Sequence, residues 1–212
     1  MNSISVLSSE HRTVTRSLMF PAVVASTGLS GSGKSHVAGA IADASGFDLL
    51  SSDELRKLRA GLDPAKPAPA GDRESLYAPS ARREIYRLIA DETRARLETG
   101  RSVVLDATFN DEAGRARVAQ AAGEAGGALL FVECRLGDEQ ARARLAARAI
   151  APGAGARSDA DFAVRLAQAR ERDPLSADEP HVVVDTSGAP GETAAAAVGA
   201  ALRTLAGAAT GG

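Results

Sequence analysis

Short apolar runs recur along the chain, each bounded by turn-forming or polar residues: Ala22–Thr27 (AVVAST), Phe47–Leu50, Ser102–Leu105 (SVVL), Ala128–Cys134 (ALLFVEC) and His181–Val184 (HVVV). Each is too short for a helix and predicts a buried strand. Helical patterns lie between them. The clearest spans Pro79 to Thr99, with Ile85, Leu88, Ile89 and Leu97 on one stripe and Gly100 as the stop. Ser158 and Asp161 form a capping-box pattern ahead of a helix reaching about Arg172. Strands alternating with helices, the strands continuously apolar, predict an α/β protein whose parallel sheet is covered on both faces. Gly61–Asp72, with its three prolines, reads as a long loop, and Gly153–Arg157 as a second one. There is no internal repeat.

The 212 residues suit one domain with a real core, expected over residues 21–206. Residues 1–20 are Ser/Thr-rich and read as a mobile tail or as an extension upstream of a start at Met19; a transit peptide is the sharper alternative. The Gly/Ala/Thr end, residues 207–212, is expected to fray. With 25 basic and 27 acidic residues the net charge is −2, which argues against broad nucleic-acid binding but leaves room for a local basic groove. A single cysteine, Cys134, excludes a disulfide framework, and three histidines offer no zinc-ligand spacing. Aromatics at 3% and no Trp argue against stacking platforms for single strands. No run approaches the roughly 18 apolar residues of a membrane helix, so a soluble, cytoplasmic protein is expected. Only Lys34, Lys57 and Lys66 are lysine, against 22 arginines. A single arginine is therefore weak information here, and a lysine is stronger.

Lys34 falls in the most specific pattern of the chain. Gly28, Leu29, Ser30, Gly31, Ser32, Gly33, Lys34 and Ser35 match G-x-x-x-x-G-K-[ST], after a predicted strand and before a helix whose next residue is His36. Glycines there let the backbone curl so that successive N–H groups surround a phosphate, and the helix start adds partial positive charge. Lys34 would reach the β- and γ-phosphates and the Ser35 hydroxyl would bind Mg²⁺. The chain lacks the Asn-Lys-x-Asp base-reading pattern of guanine-nucleotide switches and is short for a large mechanical ATPase. A compact phosphoryl-transfer enzyme or a small regulatory ATPase remains.

Two acids follow strands. Asp53 comes after the second strand, where the carboxyl ends of a parallel sheet face the ligand crevice, and could accept the proton of an attacking hydroxyl. Arg56, one turn on, could hold the acceptor; the alternative is that Asp53 is merely a helix cap. Asp106 ends the third strand, a Walker-B-like pattern that would place a carboxylate near Mg²⁺ or its waters. Thr108 and Asn110 could line the same cleft.

GLSGSGKS, then SSDELRK, then Tyr77-Ala-Pro79 with Tyr86, then GRSVVLDATF resemble the AAA_33-type P-loop "predicted kinase" group, over about residues 22–205. The resemblance implies an adenylate-kinase-like fold, five parallel strands in the order 2-3-1-4-5 and a mobile lid. Its relatives include gluconate kinase, chloramphenicol phosphotransferase, zeta toxins and the kinase domain of polynucleotide kinase. In the last of these an Asp-x-x-Arg pair supplies base and acceptor clamp, and Asp53 and Arg56 have that spacing. The resemblance also places Arg144 and Arg148 among lid arginines (lid about 142–158, with Arg157), puts Thr186–Pro190 near the adenine, and makes Arg83 an acceptor-binding position. Cys134 reads as a small core residue, and His36 is expected to face neighbouring packing.

The expectation is an ATP- and Mg²⁺-dependent kinase acting on a hydroxyl of a small molecule. A polynucleotide 5′-hydroxyl kinase, a zeta-toxin-like nucleotide-sugar kinase and a regulatory ATP-binding switch are the alternatives. The sequence leaves the acceptor and the oligomeric state open.

Overall fold

The computed structural model describes residues 20–150 and 161–210. Residues 1–19, the Gly153–Arg157 loop with Arg157, the cap candidate Ser158 and residues 211–212 lie outside them. Five strands form one parallel sheet in the order β2-β3-β1-β4-β5: β1 (Ala22–Thr27), β2 (Asp48–Ser51), β3 (Val103–Asp106), β4 (Ala128–Arg135) and β5 (His181–Asp185). The apolar runs reached the sheet within a residue or two. The second strand starts at Asp48 rather than Phe47 because the Asp48 carboxylate is held by Arg101 at 2.7 Å and Arg96 at 3.4 Å, while its N–H donates to Ser102 O.

Alternate residues of each strand enter opposite cores, so a strand buried on both faces must be apolar throughout. On one face Val24, Val104, Leu130 and Val132 pack against α1 (Lys34–Ser45) and α8 (Pro190–Thr210), through Val37, Ile41, Val198 and Leu202. On the other, Val23, Ala25, Leu105 and Phe131 pack against α4 (Pro79–Glu98) and α5 (Glu112–Glu124), through Ile85, Ile89, Leu97 and Val118. The stripe of α4 also buries Tyr86 and Thr93. Tyr86 stacks on Phe109, ring centroids 5.2 Å apart, and burial pushes its hydroxyl pKa up.

The remaining elements surround the carboxyl ends of the strands. They are α2 (Ser52–Arg59), a 3₁₀ turn (Ala70–Asp72) closing the proline-rich loop, α3 (Arg73–Leu76), α6 (Asp138–Ile150) and α7 (Phe162–Arg170). Ser51 caps α2, its side chain accepting from Glu54 N, so Asp53 is free of that duty and lies in the first turn. Asp161 is itself the cap of α7, accepting from Val164 N, and the helix stops at Arg170. α8 runs to Thr210, past the point where its Gly/Ala/Thr composition suggested an end.

Candidate active site

The phosphate-loop pattern forms a tight turn between β1 and α1. Gly28, Gly31 and Gly33 have φ of 141°, 82° and 85°, a region that a side chain disfavours. A Cβ on Gly28 would lie 2.6 Å from Cys134 O, so the loop is packed directly on the end of β4. From the other side Thr108 O accepts from Thr27 Oγ1 at 2.9 Å and from Gly28 N at 3.4 Å. Leu29 is half-buried and Ser30 and Ser32 are buried. The first N–H groups of α1, at Lys34, Ser35 and His36, precede the first helical hydrogen bond, and no side chain caps them from Gly33. His36 itself is exposed, its Nε2 3.0 Å from Pro190 O at the start of α8.

Lys34, Ser35 and Asp106 meet at this opening. Burial lowers the Lys34 pKa, opposed by the charge of Asp106 and reinforced by Arg148 and Arg165 nearby. Burial raises that of Asp106, opposed by Lys34 and by hydrogen bonds from Ser35 and, at 3.5 Å, from Ser26; neighbouring Asp53 pushes it further up. The carboxylate and hydroxyl are hard oxygen donors beside a loop of N–H groups. Cys134 is a core residue, its thiol pushed up to about 12 by burial and so inert.

Asp53 is held from three directions. Arg56 donates to Oδ1 at 3.2 Å, the Tyr77 hydroxyl donates to the same oxygen at 2.7 Å, and Lys57 Nζ lies 3.0 Å from Oδ2. Lys57 is fully buried, and the Arg56 guanidinium covers the Tyr77 ring at 4.7 Å. The Asp53–Lys57 spacing of four residues on α2 is a signal already present in the sequence; Tyr77 is 24 residues away and reaches Asp53 only in the fold. Arg83 is exposed on α4, and its neighbour Arg82 pairs with Glu171 at 3.5 Å. Neither belongs to the Asp53 network.

Of the arginines on α6, Arg144 donates to Thr186 O, 2.6 Å, and its guanidinium is 3.4 Å from where a Gly33 Cβ would stand. It therefore spans the loop after β5 and the phosphate loop. Thr186 is buried and donates to Ser32 O at 2.7 Å. Arg148 is half-buried, close enough to Lys34 to depress its proton affinity. Asn110, Thr108 and Phe109 form the turn after β3: Asn110 donates to Gln168 O at 3.2 Å, Thr108 bonds Tyr86, and Phe109 holds φ at 46°. Two residues of α7, Arg165 and Gln168, contact the phosphate loop and carried no sequence signal. A cavity of about 430 Å³ opens beyond the loop towards edge strand β5, lined by Leu29, Arg135, Arg172 and Val183; Lys34, Asp53 and Asp106 do not line it.

The model of the family AAA_33, described as an AAA domain, matches residues 23–175. The chain belongs to this family. No curated protein sequence matches it. Among solved structures it is similar to a sugar kinase from Janibacter sp. HTCC2649, with 19% identity, TM-score 0.60, and 89% of this chain and 98% of that one covered. A gluconokinase from Sinorhizobium meliloti 1021 gives 22% identity, TM-score 0.57 and coverage of 89% and 95%. Shikimate kinase from Acinetobacter baumannii, in complex with shikimate, gives 15% identity, TM-score 0.61 and coverage of 92% and 98%. The AAA_33 chain thus has the fold of compact P-loop kinases along nearly its whole described length, in the strand order expected.

Proposed function

We propose that this AAA_33 protein is an ATP-dependent phosphotransferase that moves the γ-phosphoryl group to a hydroxyl of a small-molecule acceptor. The observation that carries the reading is the convergence of Lys34, Ser35, Asp106 and Asp53 on one crevice at the carboxyl ends of β1, β2 and β3, beside a loop in which Gly28 has room only for backbone. The N–H groups of Gly31 and of Gly33 to His36, with Lys34, bind the phosphates, the Ser32 N–H being taken by Leu29 O within the turn. Ser35 and Asp106 would hold Mg²⁺, which needs few protein ligands when the nucleotide supplies others; bound there, the ion would offset phosphate charge.

In the transfer the acceptor oxygen attacks the γ-phosphorus. The new P–O bond forms as the bond to the β-phosphate oxygen breaks and ADP leaves. Asp53 orients the acceptor hydroxyl and takes its proton. The Tyr77 hydroxyl, bonded to Asp53, stands where an acceptor hydroxyl would donate. Arg56 grips the acceptor, while Arg144 and Arg148 neutralise the transferring group. Catalysis is then mainly positioning and charge stabilisation. Among the described residues no helix is long and apolar enough to cross a membrane, and a cytoplasmic setting, where ATP is supplied, suits the reading.

The test is ADP release with Mg-ATP over sugars, sugar acids, aminoglycosides, nucleotide sugars and 5′-hydroxyl oligonucleotides, with Lys34→Ala as blank. Stimulation by one class, abolished in Asp53→Asn, is the expected result and names the acceptor family. The relative rates of Asp53→Asn and Asp106→Asn identify the stronger base. A flat panel over a slow basal rate with tight ATP binding would replace the kinase reading with that of a regulatory switch.

A further inference from the structure

Ser30, near the middle of the phosphate loop, is buried, and both of its backbone polar groups are taken by one helix far along the chain. Its N–H donates to Gln168 Oε1 at 2.8 Å, and its carbonyl accepts from Arg165 at 3.0 Å. Arg165 is itself buried, and its other nitrogens are fixed on Leu136 O at 2.6 Å and Asp138 Oδ1 at 2.8 Å. Gln168 O accepts from Asn110 at 3.2 Å, and the same β3 turn receives Thr27 and Gly28 of the phosphate strand on Thr108 O. Phosphate loop, α7 and β3 turn therefore close a ring of hydrogen bonds. The loop needs such support, because Gly28 and Gly31 on either side of Ser30 adopt positive φ and glycine does not hold one backbone shape by itself.

We infer that Gln168 and Arg165 are positioning residues for the nucleotide: through Ser30 they hold the phosphate loop in its binding shape and so set affinity for Mg-ATP. This rests on the phosphate-loop reading above. Neither side chain need touch the nucleotide. Arg165 has a second effect, since its charge lies near enough to Lys34 to lower that residue's proton affinity and adds positive potential behind the loop. The coupling is reciprocal: if α7 favours the bound shape of the loop, bound nucleotide must favour the docked state of α7.

The test measures Mg-ATP affinity with a fluorescent ATP analogue and amide exchange at Ser30 and along Phe162–Arg170. Gln168→Leu keeps the side-chain bulk but strands a buried N–H; about tenfold weaker binding and faster Ser30 exchange are expected. Arg165→Met should weaken binding at least as much, with Arg165→Lys recovering part of it. In the parent protein Mg-ATP should slow exchange along α7, and in Gln168→Leu that protection should shrink. Ile89→Val, a core change on the buried face of α4, lowers the melting temperature without altering affinity, which separates positioning from general loss of stability. If Arg165→Met does not fold, Gln168→Leu decides alone. A folded Gln168→Leu that binds Mg-ATP within twofold of the parent overturns the inference, whatever its Ser30 exchange. Lys34→Ala tells the two readings apart: undiminished binding there sinks the phosphate-loop assignment itself, whereas lost binding there with normal Gln168→Leu sinks only the α7 inference.

Discussion

Gly28 admits no side chain. Its φ of 141° and the 2.6 Å from a Cβ to the carbonyl of Cys134 mean that Gly28→Ala must push the loop away from β4, since a backbone oxygen cannot step aside. Mg-ATP affinity should fall at least about tenfold in a titration of that variant, given a cost of about 2 kcal/mol in local strain. Asp53 requires a different reading of mutants, because the fully buried Lys57 ammonium is paired with it. Asp53→Asn removes the charge facing that ammonium and should cost about 2–3 kcal/mol of stability as well as activity. Urea denaturation of the cycle Asp53→Asn, Lys57→Met and the double variant checks this: the double should be more stable than Asp53→Asn alone, while transfer stays lost. These two residues also mark the limit of what the sequence made legible. The glycine spacing announces the phosphate loop, and Asp53 with Arg56 announces a crevice acid and its neighbour, because such pairs are local on one turn. Tyr77, Gln168 and Arg165 reach their partners across 24, 138 and 135 residues, and nothing in a linear pattern brings them together.

At the scale of elements, apolar runs gave the strands because a parallel sheet buried on both faces needs every residue apolar, which is a strong local signal. Ends were less legible, since they depend on partners: Arg101 and Arg96 fix the start of β2, and Ser51 rather than Asp53 caps α2. The loops that carry the site are fastened by a buried cation the sequence could not single out among 22 arginines. Arg115, 2% exposed, bonds the carbonyls of Phe109, Asp173 and Pro174 and the carboxylate of Glu179 at 2.6 Å, joining the β3 turn to the segment before β5. Burial pushes the Glu179 pKa up, but the Arg115 bonds and the Ser176 N–H outweigh it and hold the carboxyl below the ordinary glutamate range. A carboxylate with a depressed folded pKa stabilises the fold above its unfolded pKa, and that contribution drains away as pH falls through the folded value. Stability should therefore drop on acidification below about pH 4.5. Glu179→Gln should be about 2 kcal/mol less stable at pH 7 and show a flatter acid limb in denaturation at stepped pH, the charged bond to Arg115 being gone.

For the molecule as a whole, the phosphate loop is tied to every layer: to β4 through Gly28, to the turn after β3 through Thr27, to the loop after β5 through Ser32, and to α7 through Ser30. A ligand that fills the loop therefore binds a shape that exists only when the whole sheet is assembled, and it should stabilise the global fold rather than a local flap. Linkage sets the size: at a hundred times the dissociation constant, Mg-ATP should add about 2.7 kcal/mol. For a domain of this length that corresponds to a melting-temperature rise of about 5–10 °C. Thermal denaturation with and without Mg-ATP measures it, and Lys34→Ala should abolish the rise. Chelating the divalent ion should remove most of it as well, if Ser35 and Asp106 hold Mg²⁺ against the phosphates, because Asp106 then faces them unshielded. A rise confined to part of a biphasic transition, or one that persists undiminished in Lys34→Ala, would mean that the nucleotide does not sit in the loop that joins these layers.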